Sequence, residues 1–258
     1  MFSRIELASS ILALLVATGH GAADDPLEGL PSDVARQVRE HLPGVVLERR
    51  DDVPPLTRAD QWLPLEPVDY EFEPSGGGKS VRWSIAPARR LPGRQPSTKG
   101  WTLVDTDGTT RFLELEKDGT IQSRFTVNHP NGLLITLDPP EPVVRPVAAE
   151  GKAGEIEIKV ADLATPSDVR FSGKALCTWS DLGGFRVKVP AGEFDVRLLR
   201  VHYKGGVGPA SVDGSRLLLV APGTGPVAFS VDRDISAFIF FNDDTRHAGV
   251  LRKTSRGS

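Results

Sequence analysis

Val68-Asp69-Tyr70-Glu71-Phe72-Glu73 alternates apolar and acidic residues without a break. In an extended chain this period of two sends Val68, Tyr70 and Phe72 to one face and the acids to the other, as in a half-buried strand. The same period recurs outward from this stretch. Val81, Trp83 and Ile85 alternate with Arg82 and Ser84. Leu103, then Leu113 with Leu115, then Ile121, Phe125 and Val127 mark three more strands, and Leu133 to Leu137 is a short apolar run. Asp107-Gly108 and Asp118-Gly119 supply hairpin turns, because glycine accepts positive φ without steric penalty. Asp138 to Val147 carries prolines at 139, 140, 142 and 146 and is expected to cross between sheet sections in extended form.

The second half reads alike. Ile156, Ile158 and Val160 alternate with Glu155, Glu157 and Lys159. Leu176–Trp179, Phe185–Val189, Phe194–Tyr203, Leu217–Ala221, Val227–Val231 and Ala237–Phe241 follow, divided by Gly, Pro, Asp or Asn. The apolar parity switches at Leu198-Leu199, which predicts a bulge or bend there. About a dozen short strands with one helical signal predict a mainly β protein. The expected form is a single curved antiparallel sheet making an incomplete barrel, with a short N-terminal helix. That helix is read at 32–43, from Val34, Val38 and Leu42, with Ser32 as N-cap and Gly44 as stop.

Residues 1–23 read as a signal peptide: Leu7 to Thr18 is an apolar run, and Ala23 ends a Gly21-Ala22-Ala23 cleavage site. A membrane span needs roughly 20 apolar residues, so this run is too short for one, and the mature chain is expected to lack a transmembrane segment. Asp24, rather than a cysteine, follows the cut, which argues against a lipoprotein. The expected location is periplasmic or secreted. Residues 24–66 hold the helix and a Pro-rich, charge-flanked linker, 67–253 the barrel-like domain, and 254–258 a flexible tail.

Composition narrows the chemistry. With 31 Lys+Arg against 34 Asp+Glu, the net charge of −3 gives no reason to expect nucleic acid as partner. The 26 Gly and 21 Pro favour turns over helices. A single cysteine, Cys177, rules out an internal disulfide or a multi-cysteine metal site, and its strand-like surroundings predict a buried, inert thiol. Ser75-Gly76-Gly77-Gly78-Lys79-Ser80 resembles a phosphate loop, but Glu73 stands where the first glycine belongs and a strand follows instead of a helix. Asp105-Thr106-Asp107-Gly108 begins like a calcium loop, yet Thr110 replaces the required glycine. His41, His129, His202 and His247 show no metal-ligand spacing, and there is no Gly-X-Ser-X-Gly elbow. No cofactor, metal or catalytic residue is therefore assigned.

Two turns carry a resemblance: Val189-Pro190-Ala191-Gly192-Glu193-Phe194 and Ala221-Pro222-Gly223-Thr224-Gly225-Pro226-Val227. Together with the order of segments from about 66 to 252, they resemble an uncharacterised family of exported β-rich envelope proteins. That family is similar in architecture to the periplasmic lipoprotein carriers, whose half-open barrel holds acyl chains. The resemblance rests on turn residues and implies a fold; it transfers no catalytic residue.

The functional expectation is an exported, non-enzymatic envelope protein whose concave sheet face binds a lipid or another apolar molecule. Tyr70, Phe72, Trp83, Phe125, Leu198 and Phe229 are the candidate lining residues, chosen by strand parity. Two alternatives stand beside it. One is a structural or interaction module with a solid core, docking through the acidic face at 69–73 or the basic loop at 89–99. The other is a hydrolase with a dispersed Ser/His/Asp triad. The oligomeric state is left open.

Overall fold

The alternation at Val68–Glu73 becomes a strand that joins the two ends of a closed sheet. The computed structural model describes residues 25–75, 79–88, 100–146, 154–237 and 241–256. The segment at 1–23 read as a signal peptide, the glycine tip at 76–78 and the basic loop at 89–99 lie outside the described residues. Chain order is α1 (Ser32–His41), β1 (Val46–Arg49), a 3₁₀ turn (Ala59–Gln61), β2 (Val68–Pro74), β3 (Val81–Pro87), β4 (Trp101–Asp105), β5 (Thr109–Leu115) and β6 (Ile121–Asn128). Then come β7 (Leu133–Val144), β8 (Gly154–Asp162), β9 (Val169–Val189), β10 (Gly192–Val207), β11 (Ala210–Ala221), β12 (Gly225–Ala237) and β13 (Phe241–Arg256).

Strands β2 to β13 pair antiparallel in sequence order, and β13 returns to β2 through Leu251↔Phe72, Thr254↔Tyr70 and Arg256↔Val68. The sheet is thus a closed twelve-stranded up-and-down barrel, with β1 added on the lower part of β9. The incomplete barrel expected from the sequence is corrected here. Closure satisfies the backbone groups that open edge strands leave bare. It also takes up Thr254, Ser255 and Arg256, which the sequence reading had left to a tail.

Bulges set which side chains enter the barrel. The parity switch at Leu198-Leu199 is a register shift between β9 and β10, as expected. In β7, Thr136 pairs with Phe125 while Glu141 pairs with Ser123, so the Pro139-Pro140 segment loops out of register. Those prolines lie within β7, extended as expected but part of a strand and not a crossing segment: β8 pairs only as far as Asp138, β6 resumes at Glu141, and the bulge between leaves amides out of the ladder where proline has none to give.

The N-terminal segment is not an exposed linker. Val53, Leu56, Ala59, Trp62 and Leu63 are buried. Residues 50–66 form a strap across the lower mouth. Arg50 N–H donates to Gly184 O (2.9 Å), Ala59 N–H to Gly119 O (2.9 Å), and Gly223 N–H to Gln61 O (2.8 Å). Helix α1 lies on the outer wall. Gln37 Nε2 donates to Ser230 Oγ (2.9 Å), His41 Nδ1 meets the same oxygen at 2.7 Å, and Asp33 pairs with Arg200. Its N-cap is Pro31 rather than Ser32, with no side-chain cap bond.

Gly184 is the seat of the strap. A Cβ there would stand 2.3 Å from the Arg50 carbonyl oxygen and 2.6 Å from Val53 Cβ. Gly184→Val is expected to cost about 1–3 kcal/mol through this overlap and to expose Arg50 and Arg58 to trypsin. Limited proteolysis reads the outcome; a strap as protected as in the parent chain would refute this seating.

Candidate functional site

Register assigns every strand an inward and an outward face. The inward face runs through Tyr70, Trp83, Leu103, Arg111, Ile135, Ile158, Cys177, Tyr203, Arg216, Phe229 and His247. An ion pair between Arg216 on β11 and Glu141 on β7, at 2.9 Å, spans non-neighbouring strands and so crosses the interior.

The interior is layered. The lower part is solid: Phe72, Leu113, Trp179, Leu199 and Phe229 each retain at most 1% of their surface. The Phe72 ring stands 4.8 Å from Trp83 and 5.1 Å from Phe229, edge-on to the latter, and Trp83 stacks on Phe229 at 4.7 Å. Such offset and edge-to-face contacts add to the gain from burial alone. Tyr70 O–H donates to Thr224 O at 3.0 Å. This explains Gly225 in the second turn motif: its φ is +99°, and a Cβ there would lie 2.4 Å from the Tyr70 hydroxyl.

Above the aromatics the inward residues turn polar. Arg216, Glu141, Arg111, Tyr203 and His247 form this level, with Asp105, which accepts from Trp83 Nε1 at 2.8 Å. Burial lowers the pKa of Arg111, and the neighbouring Arg216 lowers it further. Burial likewise raises the Tyr203 hydroxyl and lowers the His247 imidazole. Among the described residues Arg111 makes no hydrogen bond or ion pair. Inward apolar side chains at and above this level, Trp83, Leu103, Ile135, Ile158 and Val231, keep partial exposure. Phe72, Leu113, Trp179, Leu199 and Phe229 do not, while Trp101, opposite Leu113, does, and Val201, opposite Arg216, is buried.

The six residues chosen by parity separate in the structure. Tyr70, Phe72, Trp83 and Phe229 do face inward and form one cluster, three of them fully buried and Trp83 at its upper border. Phe125 and Leu198 point outward, which corrects the inward reading of both. A bulge between Phe112 and Leu113 puts Phe125 opposite Phe112, on the outer side, and brings Thr126 inward opposite Arg111. Leu198 pairs with Leu219 on the outer wall that α1 covers. Sequence reasoning missed Arg111, Arg216 and Glu141. A signal was present for the first: Arg111 shares its parity with Leu113, a charge on the apolar side of a strand.

A separate cavity of about 180 Å³ opens low on the wall, among Thr120, Gln122, Pro140, Arg145, Cys177 and Trp179. It touches none of the six candidates. Cys177 is buried and free, and burial pushes its thiol up to about 11, so it is protonated and inert at neutral pH.

The contacts that could suggest a hydrolase lie outside the barrel. Ser230 is fully buried beneath α1, held by Gln37 and His41, and among the described residues no carboxylate hydrogen-bonds His41. His202 Nε2 meets Asp213 at 3.0 Å on the outer face, where the cross-strand Ser215 hydroxyl has no hydrogen-bond partner. Among the described residues no three His, Cys, Asp or Glu side chains gather as metal ligands, and no helix is long and apolar enough to cross a membrane.

No family model and no curated protein matches the chain. Two solved structures are similar to it. One is a protein of Bacteroides fragilis inferred to be exported, with a YMCC-like fold, at 11% identity and a TM-score of 0.41, covering 76% of this chain and 99% of its own. The other is a protein of Parabacteroides distasonis inferred to be a lipoprotein, at 12% identity and a TM-score of 0.42, covering 75% and 97%.

Proposed function

We propose that this chain is an exported, non-catalytic envelope protein that holds an apolar or amphiphilic small molecule in the upper half of its barrel. One observation carries the reading. The inward apolar side chains Leu103, Ile135, Ile158 and Val231 keep accessible surface, whereas Phe72, Leu113, Trp179, Leu199 and Phe229 keep essentially none. Apolar surface facing an enclosed, water-accessible space favours a ligand that removes it from water, at roughly 25 cal/mol per Å². The signal-like run at 7–18 supports export. The lipid reading made from the sequence is retained, but its place moves from the aromatic cluster to the chamber above it.

The test is a fluorescence titration of the mature chain with N-phenyl-1-naphthylamine, a neutral apolar probe. Saturable enhancement is expected at micromolar probe. Val231→Trp, which fills the chamber from its wall, should abolish it without lowering the melting temperature. No saturable signal from the parent chain, or equal binding by the variant, would overturn the reading.

A further inference from the structure

A barrel that only carried hydrocarbon would have no use for guanidinium groups in its lining. Arg216 and Glu141 meet at 2.9 Å across the interior with 11% and 17% of their side-chain surface exposed, so this pair is largely withdrawn from water. Asp105 already accepts the Trp83 indole N–H. Each acid of the level thus has a donor. Arg111 stands apart: it faces inward opposite Leu103 and Thr126, lies in the field of Arg216, Glu141 and Asp105, and makes no hydrogen bond or ion pair of its own among the described residues. A guanidinium does not shed its proton to escape burial as an amine can. An enclosed, unpaired cation is costly, and that cost is relieved by an anion offering two oxygens to its planar fork.

Resting on the chamber reading above, we propose that the ligand is a single-chain amphiphile with a carboxylate or phosphate head, and that Arg111 binds that head beside the Arg216–Glu141 pair. The chain of the ligand lies along Leu103, Ile135 and Ile158, which border Arg111 or the same chamber wall. Its head meets Arg111 at the level just above the Trp83–Phe229 stack. Burial and Arg216 lower the Arg111 pKa although Glu141 and Asp105 act to raise it, so a contacting anion would still be favoured there.

Competition against N-phenyl-1-naphthylamine tests this with three compounds of one chain length: decanoate, decyl phosphate and decanol. At least one of the two anions is expected to displace the probe about 10-fold better than decanol, the worth of a charge-assisted hydrogen bond. The better of the two identifies the head. Arg111→Gln should bring the anions down to decanol, leave decanol and the probe unchanged, and melt no lower than the parent chain, since it removes an unpaired charge. Arg111→Lys should keep part of the preference. If the probe binds but decanol competes as well as both anions, the anionic head is wrong and the apolar chamber stands. If Arg111→Gln melts well below the parent chain, Arg111 is a structural residue and the proposal falls. Failure of the probe itself overturns the chamber first.

Discussion

Replacing Asp181 with alanine is expected to lower the unfolding free energy by about 3–5 kcal/mol, the usual result of orphaning one partner of a buried ion pair. The Asp181 side chain has no exposed surface, and that of Arg197 only 14%. Arg197 Nε donates to both carboxylate oxygens, at 2.9 and 3.1 Å, and Nη2 lies 2.8 Å from Oδ1. Gly183 N–H donates to the same Oδ1 at 3.1 Å, and Arg197 Nη1 donates to Val53 O at 3.2 Å. The pair therefore ties β9, β10 and the N-terminal strap together at one point. The loss should be far larger than the pair's net worth, because alanine leaves the cation enclosed without a counter-charge. Urea denaturation of Asp181→Ala, Arg197→Met and the double variant separates the two quantities. The double variant should recover much of the single loss; additive losses would contradict the account.

Phe72→Ala is expected to cost about 3–5 kcal/mol, as large-to-small changes in a tightly packed core do. Phe72 is 1% exposed and lies between Trp83 and Phe229 while pairing with Leu251 across the closing seam. Its removal opens a void where β13 meets β2, so loss of packing and weakening of closure coincide. Phe125→Ala is the matched comparison. That ring is half-buried on the outer wall, and its loss should cost about 1 kcal/mol, near the centre of the range for point substitutions. Equal losses at the two positions would contradict the assignment of inner and outer faces. Intrinsic tryptophan fluorescence follows both, since Trp83 lies within the Phe72 cluster.

The contrast between these two phenylalanines shows how far strand parity reaches. Both stand in alternating apolar runs. Phe72 lies in a strand with no register break against β3, so the period read at Val68 still holds there. Phe125 lies beyond the break at Phe112/Leu113, and each residue after it changes sides. Ile121 faces inward while Phe125 and Val127, of the same parity, face out. At Leu198-Leu199 the sequence does reveal the break, because two adjacent leucines violate alternation. At Phe125 nothing does, since Thr126 and Arg124 are plausible on either face.

What the sequence determined by itself was local. Period-two alternation made the strands, Gly-containing turns joined neighbours, and a single 3.6-period run made α1. These depend on backbone geometry and on residues a few positions apart, so they are written in short windows. Tertiary structure alone decided the rest. Closure joins Phe72 to Leu251, far apart in the chain, and no local pattern states that the last strand must meet the first. The burial of Val53, Leu56, Ala59, Trp62 and Leu63 depends on β9 and the β5–β6 and β11–β12 turns being brought to one mouth. Closure also surrounds Arg111, Arg216 and Glu141 with walls from β5, β11 and β7. Each is an ordinary charged residue in its own strand, and only the closed barrel removes all three from bulk water and sets them facing one another.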